Sequence, residues 1–314
     1  MNATYSTLFS AVAPVFIVLA CGFALRRLGK LRHEADSSFL TLAVNFLYPC
    51  LIADTVLGNP ALREARNIAV APAVGLTLLL LCFAIAALAA WLLRLKWPQP
   101  ARTFAFTAAI PNWGYLPIPL VQQLFGTETT GVLFIHNIGL EIGLWSAGVW
   151  LLSGEGSLRR VLNVPFFAIL LALVLNLAHA GDWLPRVALD SLHFLGQAAI
   201  PLSLILTGAT LADAISLPGT GRHISVTAAG CIVRLAVLPP IFLVAARWLP
   251  CSLDLKRVLI VQAAMPCALV PVLLARFYRA DIGTAVQIVI GSTVIGLLTI
   301  PLWLRLGFAF VGLQ

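Results

Sequence analysis

The chain has 314 residues, of which 61% are hydrophobic and only 10% charged, with a formal net charge of +8. A soluble domain averages about 25% charged residues, so an enzyme with a cytosolic active site does not fit. Nucleic-acid binding needs a basic folded surface, and the short loops leave none.

Ten apolar stretches of about 20 residues, the length of a bilayer-spanning helix, lie near 7–26, 37–57, 69–93, 103–125, 131–152, 161–180, 193–212, 223–247, 257–278 and 283–304. The first is followed, not preceded, by a basic run, Arg26, Arg27, Lys30 and Arg32. A cleaved secretory signal has the opposite order, so an uncleaved first helix with its N-terminus outside is expected. Twelve of the twenty Lys and Arg residues fall in loops after odd-numbered stretches, seven on the other side, and Arg234 lies inside a stretch. Basic loops favour the cytoplasm, which predicts a multi-pass cell-membrane protein with both termini extracytoplasmic.

The second stretch carries Asn45, Pro49 and Asp54. The third, Leu76 to Ala90, is almost wholly Leu, Ala, Phe and Ile. The fourth contains Ala108-Ala109-Ile110-Pro111-Asn112-Trp113-Gly114-Tyr115-Leu116-Pro117, and the fifth carries His136, Asn137, Glu141, Trp145 and Gly148. A polar hinge at Ser153–Ser157, followed by Arg159 and Arg160, divides the chain into residues 1–152 and 161–314 around a 153–160 loop. The seventh stretch holds Pro201, Ser203 and Thr207; the eighth, Arg234; the ninth, Ala263-Ala264-Met265-Pro266-Cys267-Ala268-Leu269-Val270-Pro271; the tenth, Ser292, Thr293 and Pro301.

Two features recur at one offset. Pro111 and Pro266, each after Ala-Ala and an apolar residue, are 155 residues apart; Pro49 and Pro201 are 152 apart. Proline inside a helix removes a backbone hydrogen bond and clashes with the preceding turn. In hydrocarbon such a break survives only where the freed groups meet protein, water or ligand, and paired broken helices point to a transporter's binding site. The expected fold is all-α, with ten transmembrane helices in two repeats of five. Five is odd, so the second repeat is inverted, with helices 4 and 9 broken.

Four stretches carry a resemblance to the auxin efflux carrier family of permeases. Asn112-Trp113-Gly114-Tyr115-Leu116-Pro117-Ile118-Pro119-Leu120 with Leu124-Phe125-Gly126 is similar to its Asn-x-Gly-x-Leu-Gly-x-Pro…Leu-Phe-Gly segment. Trp145-Ser146-Ala147-Gly148 resembles its Trp-Thr-x-Gly, and Pro201 to Leu211 its Pro-x-x-Leu…Gly-x-x-Leu helix. Pro266 to Pro271 with Ala275-Arg276-Phe277-Tyr278 resembles Pro-x-x-Ile-Val-Pro…Ala-Lys-x-Tyr, and Arg234 fits the basic residue of span eight. Pro117 departs from the usual Gly, and Glu141 stands where an apolar residue is usual. The resemblance implies a fold of the sodium/proton antiporter and bile-acid symporter type. Spans 1, 2, 6 and 7 would form a scaffold and homodimer surface, and spans 3–5 and 8–10 a moving transport domain. It further implies elevator-type transport of a small organic anion, a carboxylate.

Among individual residues, Asn112 can donate to a carboxylate or cap the broken helix. Half-helix N-termini at the crossing suit an anion, and Pro111, Gly114, Pro266 and Cys267 belong to that crossing. Asn137, Glu141, Trp145 and Gly148 share one helical face. Glu141 and Arg234 are charges deep in spans, which normally face an interior or cavity. Arg234 is read as a substrate contact, a counter-charge to the crossing dipoles, or a partner of Glu141. Glu141 is read as a proton carrier, that partner, or a protonated core residue. His136 reads as packing, and Asp54 as interfacial. Asp213 and Arg276 read as snorkelling side chains. The six cysteines lack CxxC spacing and read as small apolar residues; no metal cluster or cofactor motif appears. The expected function is a secondary active transporter, not an enzyme. A sodium-coupled bile-acid-type symporter is the rival within transport. A membrane-embedded enzyme, using Glu141 with His136, is the rival from another class.

Overall fold

A computed structural model describes residues 4–154, 156, 158–216 and 224–313. Within the expected hinge, Glu155 and Ser157 lie outside the described residues. Every element among the described residues is helical. Apart from three short 3-10 turns, in chain order these are α1 (Tyr5–Arg27), α2 (His33–Val56), α3 (Ala65–Leu92), α4 (Ala101–Ala109), α5 (Pro117–Ser153), α6 (Val164–Leu177), α7 (Arg186–Ile215), α8 (Ile224–Trp248), α9 (Leu253–Ala264), α10 (Val270–Phe277) and α11 (Ile282–Val311). Seven of them (α1, α2, α3, α5, α7, α8 and α11) are long and apolar enough to cross a membrane. The other expected crossings take different forms. α6 is apolar but only 14 residues long, and the ninth stretch is two half-helices, α9 and α10. The fourth stretch is α4 and, after its break, the first part of α5, and the fifth stretch is the rest of α5. The two helical segments of α5 meet at Gly126, whose φ of 82° with ψ of −170° is non-helical. Only glycine adopts such a conformation without strain, so a kink stands where a loop was expected.

Proline placement sets each break. Pro111 pushes Ile110 into an extended conformation (φ −86°, ψ 110°), ending α4 at Ala109. Pro266 does the same to Met265 (φ −71°, ψ 138°), ending α9 at Ala264. This is the ordinary restriction on a residue before proline. Pro117 and Pro271 then sit in the first turns of α5 and α10, where a missing N–H is harmless.

The two unwound segments meet. Pro111 and Cys267 form an isolated antiparallel bridge. The Asn112 N–H donates to the Pro266 carbonyl at 2.8 Å, and the Ala268 N–H to the Ile110 carbonyl at 3.1 Å. α4 and α9 are buried along almost their whole length. The outer helices instead expose apolar side chains, as Phe167, Leu171 and Val174 do on α6. α1 and α7 pack backbone against backbone: a Cβ on Gly208 would collide with the Leu19 carbonyl, and one on Gly22 with the Ile205 carbonyl. Small residues permit such close approach in membranes, where apolar burial gives no drive between helices. At one end of that pair, Arg26 joins Asp36 of α2 to Asp213 of α7. Asp213 is therefore an ion-pair partner rather than a snorkelling end residue.

Candidate functional site

Unwinding frees backbone groups, and neighbouring side chains satisfy several of them. The Asn137 amide donates to the Trp113 carbonyl at 2.8 Å. The Cys267 N–H donates to the Ser292 hydroxyl at 3.1 Å. The Asn112 side-chain oxygen accepts from the Leu116 N–H at 3.4 Å, so Asn112 does cap the start of α5. Its amide nitrogen has no partner among the described residues.

Arg234 occupies the opposite end of the crossing. It is fully buried and lies in a wide, π-helical turn, Val233–Val237, ahead of Pro239. Its Nε donates to the Met265 carbonyl at 3.0 Å, Nη2 to the Gln262 carbonyl at 3.3 Å and Nη1 to the Ala109 carbonyl at 3.4 Å. These carbonyls sit at the C-terminal ends of α4 and α9, where a helix dipole favours a cation. The proline also leaves the Leu235 carbonyl to another donor, the Trp303 indole, at 2.7 Å. Of the readings open for Arg234, the counter-charge to the crossing dipoles is the one its contacts match.

A cavity of about 280 Å³ lies beside the crossing. Asn112, Gly114, Asn137 and Glu141 line it, whereas Pro111, Pro266, Cys267 and Arg234 do not. The N-terminal ends of α5 and α10 contribute Tyr115, Ile118, Leu269 and Val270 to its wall. The Glu141 carboxylate accepts from the Trp145 indole at 2.9 Å, and the Trp113 indole also bears on it. It makes no ion pair with Arg234, so the expected pair is not formed: each charge is satisfied locally. The His136 ring is buried against the Ala71 carbonyl at 3.1 Å, without contact to Glu141. Asp54 lies 3.0 Å from His193 of α7 and does not line the cavity. The Thr207 hydroxyl returns to the Ser203 carbonyl of its own helix.

Several lining residues were not singled out in the sequence. Tyr48 of α2 stacks edge-on to Tyr115, with centroids 6.3 Å apart. Phe134, Phe166 and Asn163 complete that side. The available signals were slight: Tyr48 precedes a mid-span proline, and Asn163 is an N-cap ahead of Val164-Pro165, accepting from the Phe166 N–H at 3.0 Å. The six cysteines are free. His33, Asp36 and Asp213 approach one another away from the cavity, but there Arg26 already supplies the positive charge.

Along nearly its whole length the chain is similar to known transporters. The chain is 29% identical over 311 residues to an uncharacterized transporter of Methanothermobacter thermautotrophicus, covering 93% of this chain and 96% of that protein. It is 22% identical over 302 residues to an uncharacterized transporter of Methanocaldococcus jannaschii, covering 92% and 95%. The profile of the membrane transport protein family matches residues 7–157 and again 148–304, nearly the whole length. A multi-pass membrane protein with two broken helices crossing at its centre, matched end to end by that profile, belongs to the membrane transport protein family, that of the auxin efflux carriers.

Proposed function

We propose that the protein is a secondary active transporter of a small organic anion, a carboxylate, bound where the broken helices cross. The observation that carries this reading is the polarity of the crossing. The cavity meets the N-terminal ends of α5 and α10, which are positive dipole ends. Arg234 neutralises the opposite, negative ends of α4 and α9. Asn112 adds an unpartnered amide donor, and Asn137 fixes the segment after it through the Trp113 carbonyl.

Ten crossings in two inverted repeats fit the elements. In this reading α4 with α5 up to Gly126 is the fourth crossing, α9 with α10 the ninth, and the rest of α5 the fifth. The ladder around Pro111 and Cys267 supports the repeat because its two hydrogen bonds are symmetric about that pair. So do the close-packed glycines: Gly75 and Gly139, where α3 meets α5, correspond at offsets of 155 and 152 to Gly230 and Gly291, where α8 meets α11. Spans 1, 2, 6 and 7 (α1, α2, α6 and α7) then form the scaffold and the homodimer surface. The crossing helices and their neighbours move as an elevator, and both termini face outside. Uptake of radiolabelled carboxylates into proteoliposomes tests the proposal: transport by wild type, lost in Asn112→Ala, is expected. Absence of carboxylate uptake by folded wild type would overturn it.

A further inference from the structure

We infer that the cavity selects a substrate with one carboxylate, one hydrogen-bond donor and an apolar body, and that Glu141 is the residue that reads the donor and rejects a second carboxylate. This deepens the proposal above and rests on it. The argument is one of charge and shape. Among the residues lining the cavity, Glu141 is the single acid, and no Lys, Arg or His is present. The nearby cations are committed elsewhere. Arg234 is spread over three backbone carbonyls. Arg160 lies against the Trp145, Phe277 and Tyr278 rings at 4.7–5.8 Å and donates to the Tyr278 hydroxyl. One substrate carboxylate can be met by the helix ends and Asn112. A second would have no cation to meet it, and it would share the cavity with Glu141. Like charges in a low-dielectric site repel strongly.

A carboxylate offers about four acceptor positions. The two indoles beside Glu141 use at most half of them, leaving room for a substrate hydroxyl or ammonium. The remaining wall is aromatic and aliphatic, with Tyr48, Tyr115, Phe134 and Phe166 on it. A cavity of about 150 Å³ accepts benzene, so about 280 Å³ holds a ring-sized apolar group together with a carboxylate. The preferred class is therefore a hydroxy or amino monocarboxylate with an apolar side group, in preference to a dicarboxylate.

The test is equilibrium binding to purified protein, wild type and Glu141→Gln, with four ligands of one skeleton: phenylpropionate, phenyllactate, phenylalanine and benzylmalonate. In wild type, phenyllactate or phenylalanine should bind at least ~10-fold more tightly than phenylpropionate, and benzylmalonate at least ~10-fold more weakly. This follows from the ~1.4 kcal/mol per tenfold expected of one hydrogen bond to a charged group. Glu141→Gln should bring all four within about threefold. An unchanged ranking in Glu141→Gln, or benzylmalonate equal to phenylpropionate in wild type, overturns the role given to Glu141. The wild-type ranking decides the matter even if the variant does not fold. If phenylpropionate binds with no advantage for a donor, this inference fails while the carboxylate reading stands. If none of the four binds folded wild type, the carboxylate reading fails with it.

Discussion

Replacing Arg234 by methionine should unfasten the crossing while leaving a side chain of similar length in place. The guanidinium has zero exposure and serves three carbonyls at 3.0, 3.3 and 3.4 Å. A buried acceptor left unpaired costs about 1–3 kcal/mol. The Gln262 carbonyl keeps the Met265 N–H at 3.3 Å, so only the Met265 and Ala109 carbonyls lose their donor, the latter at the low end of that range, and the sum is about 2–4 kcal/mol. At roughly 2–4 °C per kcal/mol for a large domain, the melting temperature of purified protein should fall by about 10 °C. Arg234→Lys keeps the charge but not the fork that reaches three acceptors, and should fall about half as far. Glu141→Gln shares no partner with Arg234, so the double variant should be additive within about 0.5 kcal/mol. The assay is thermal unfolding followed by intrinsic fluorescence in one detergent. A drop under 2 °C for Arg234→Met would refute Arg234 as the clamp on both half-helices. A double variant clearly more stable than the sum would restore a direct pair with Glu141.

Three other predictions follow from the same contacts. Asn112→Ala should keep near-wild-type stability, because the lost cap is a single long bond of 3.4 Å, yet lose ligand-induced thermal shift; an undiminished shift would reduce Asn112 to a cap. Gly139→Ala should destabilise by roughly 1–3 kcal/mol through overpacking, since its Cβ would meet the Pro72 carbonyl, whereas Gly114→Ala, with nothing within 4 Å, should leave unfolding unchanged; equal melting temperatures for both would contradict the close contact of α3 with α5. In a cysteine-free background, single cysteines at Thr4 and Leu313 should react with impermeant maleimide on intact cells while one at Lys96 reacts only after lysis, and the reverse pattern would invert the orientation.

The breaks were legible in the sequence because proline acts locally. Pro111, Pro117, Pro266 and Pro271 each determine their own and the preceding residue's backbone whatever surrounds them. Asn112 and Gly114 were legible as part of the break, and Asn137 and Glu141 as one helical face; that the two sets line one cavity came only from the structure. The partners of Arg234 were not, since backbone carbonyls leave no mark in side-chain identity. Glu141 and Arg234 invited pairing as the two deep charges of opposite sign, but indoles and carbonyls satisfied each one nearer at hand. Tyr48, Asn163 and Phe166 come from α2 and from the start of α6, far in sequence from the break. Only tertiary packing brings them to the cavity, and no spacing rule spans that distance. The junction of the fourth and fifth stretches lies at Gly126, where the fourth was expected to end, but the sequence does not display the backbone angles that make it a kink.

Arg234 has a consequence for energetics across the bilayer. It is hydrogen-bonded to both half-helices, so any movement of the crossing body carries a permanent positive charge with it. A unit charge moved through 100 mV of membrane potential is worth about 2.3 kcal/mol. In the proposed transport domain Glu141 would ride on the same body and, when ionised, cancel that charge. Under elevator movement, an empty carrier with ionised Glu141 would then cross electrically silent, and one loaded with a monoanion would cross with a net charge of −1. Protonating Glu141 would exchange these assignments, making the loaded stroke silent and the empty one positive. The voltage dependence of each half-cycle would thus count the charge on Glu141 directly.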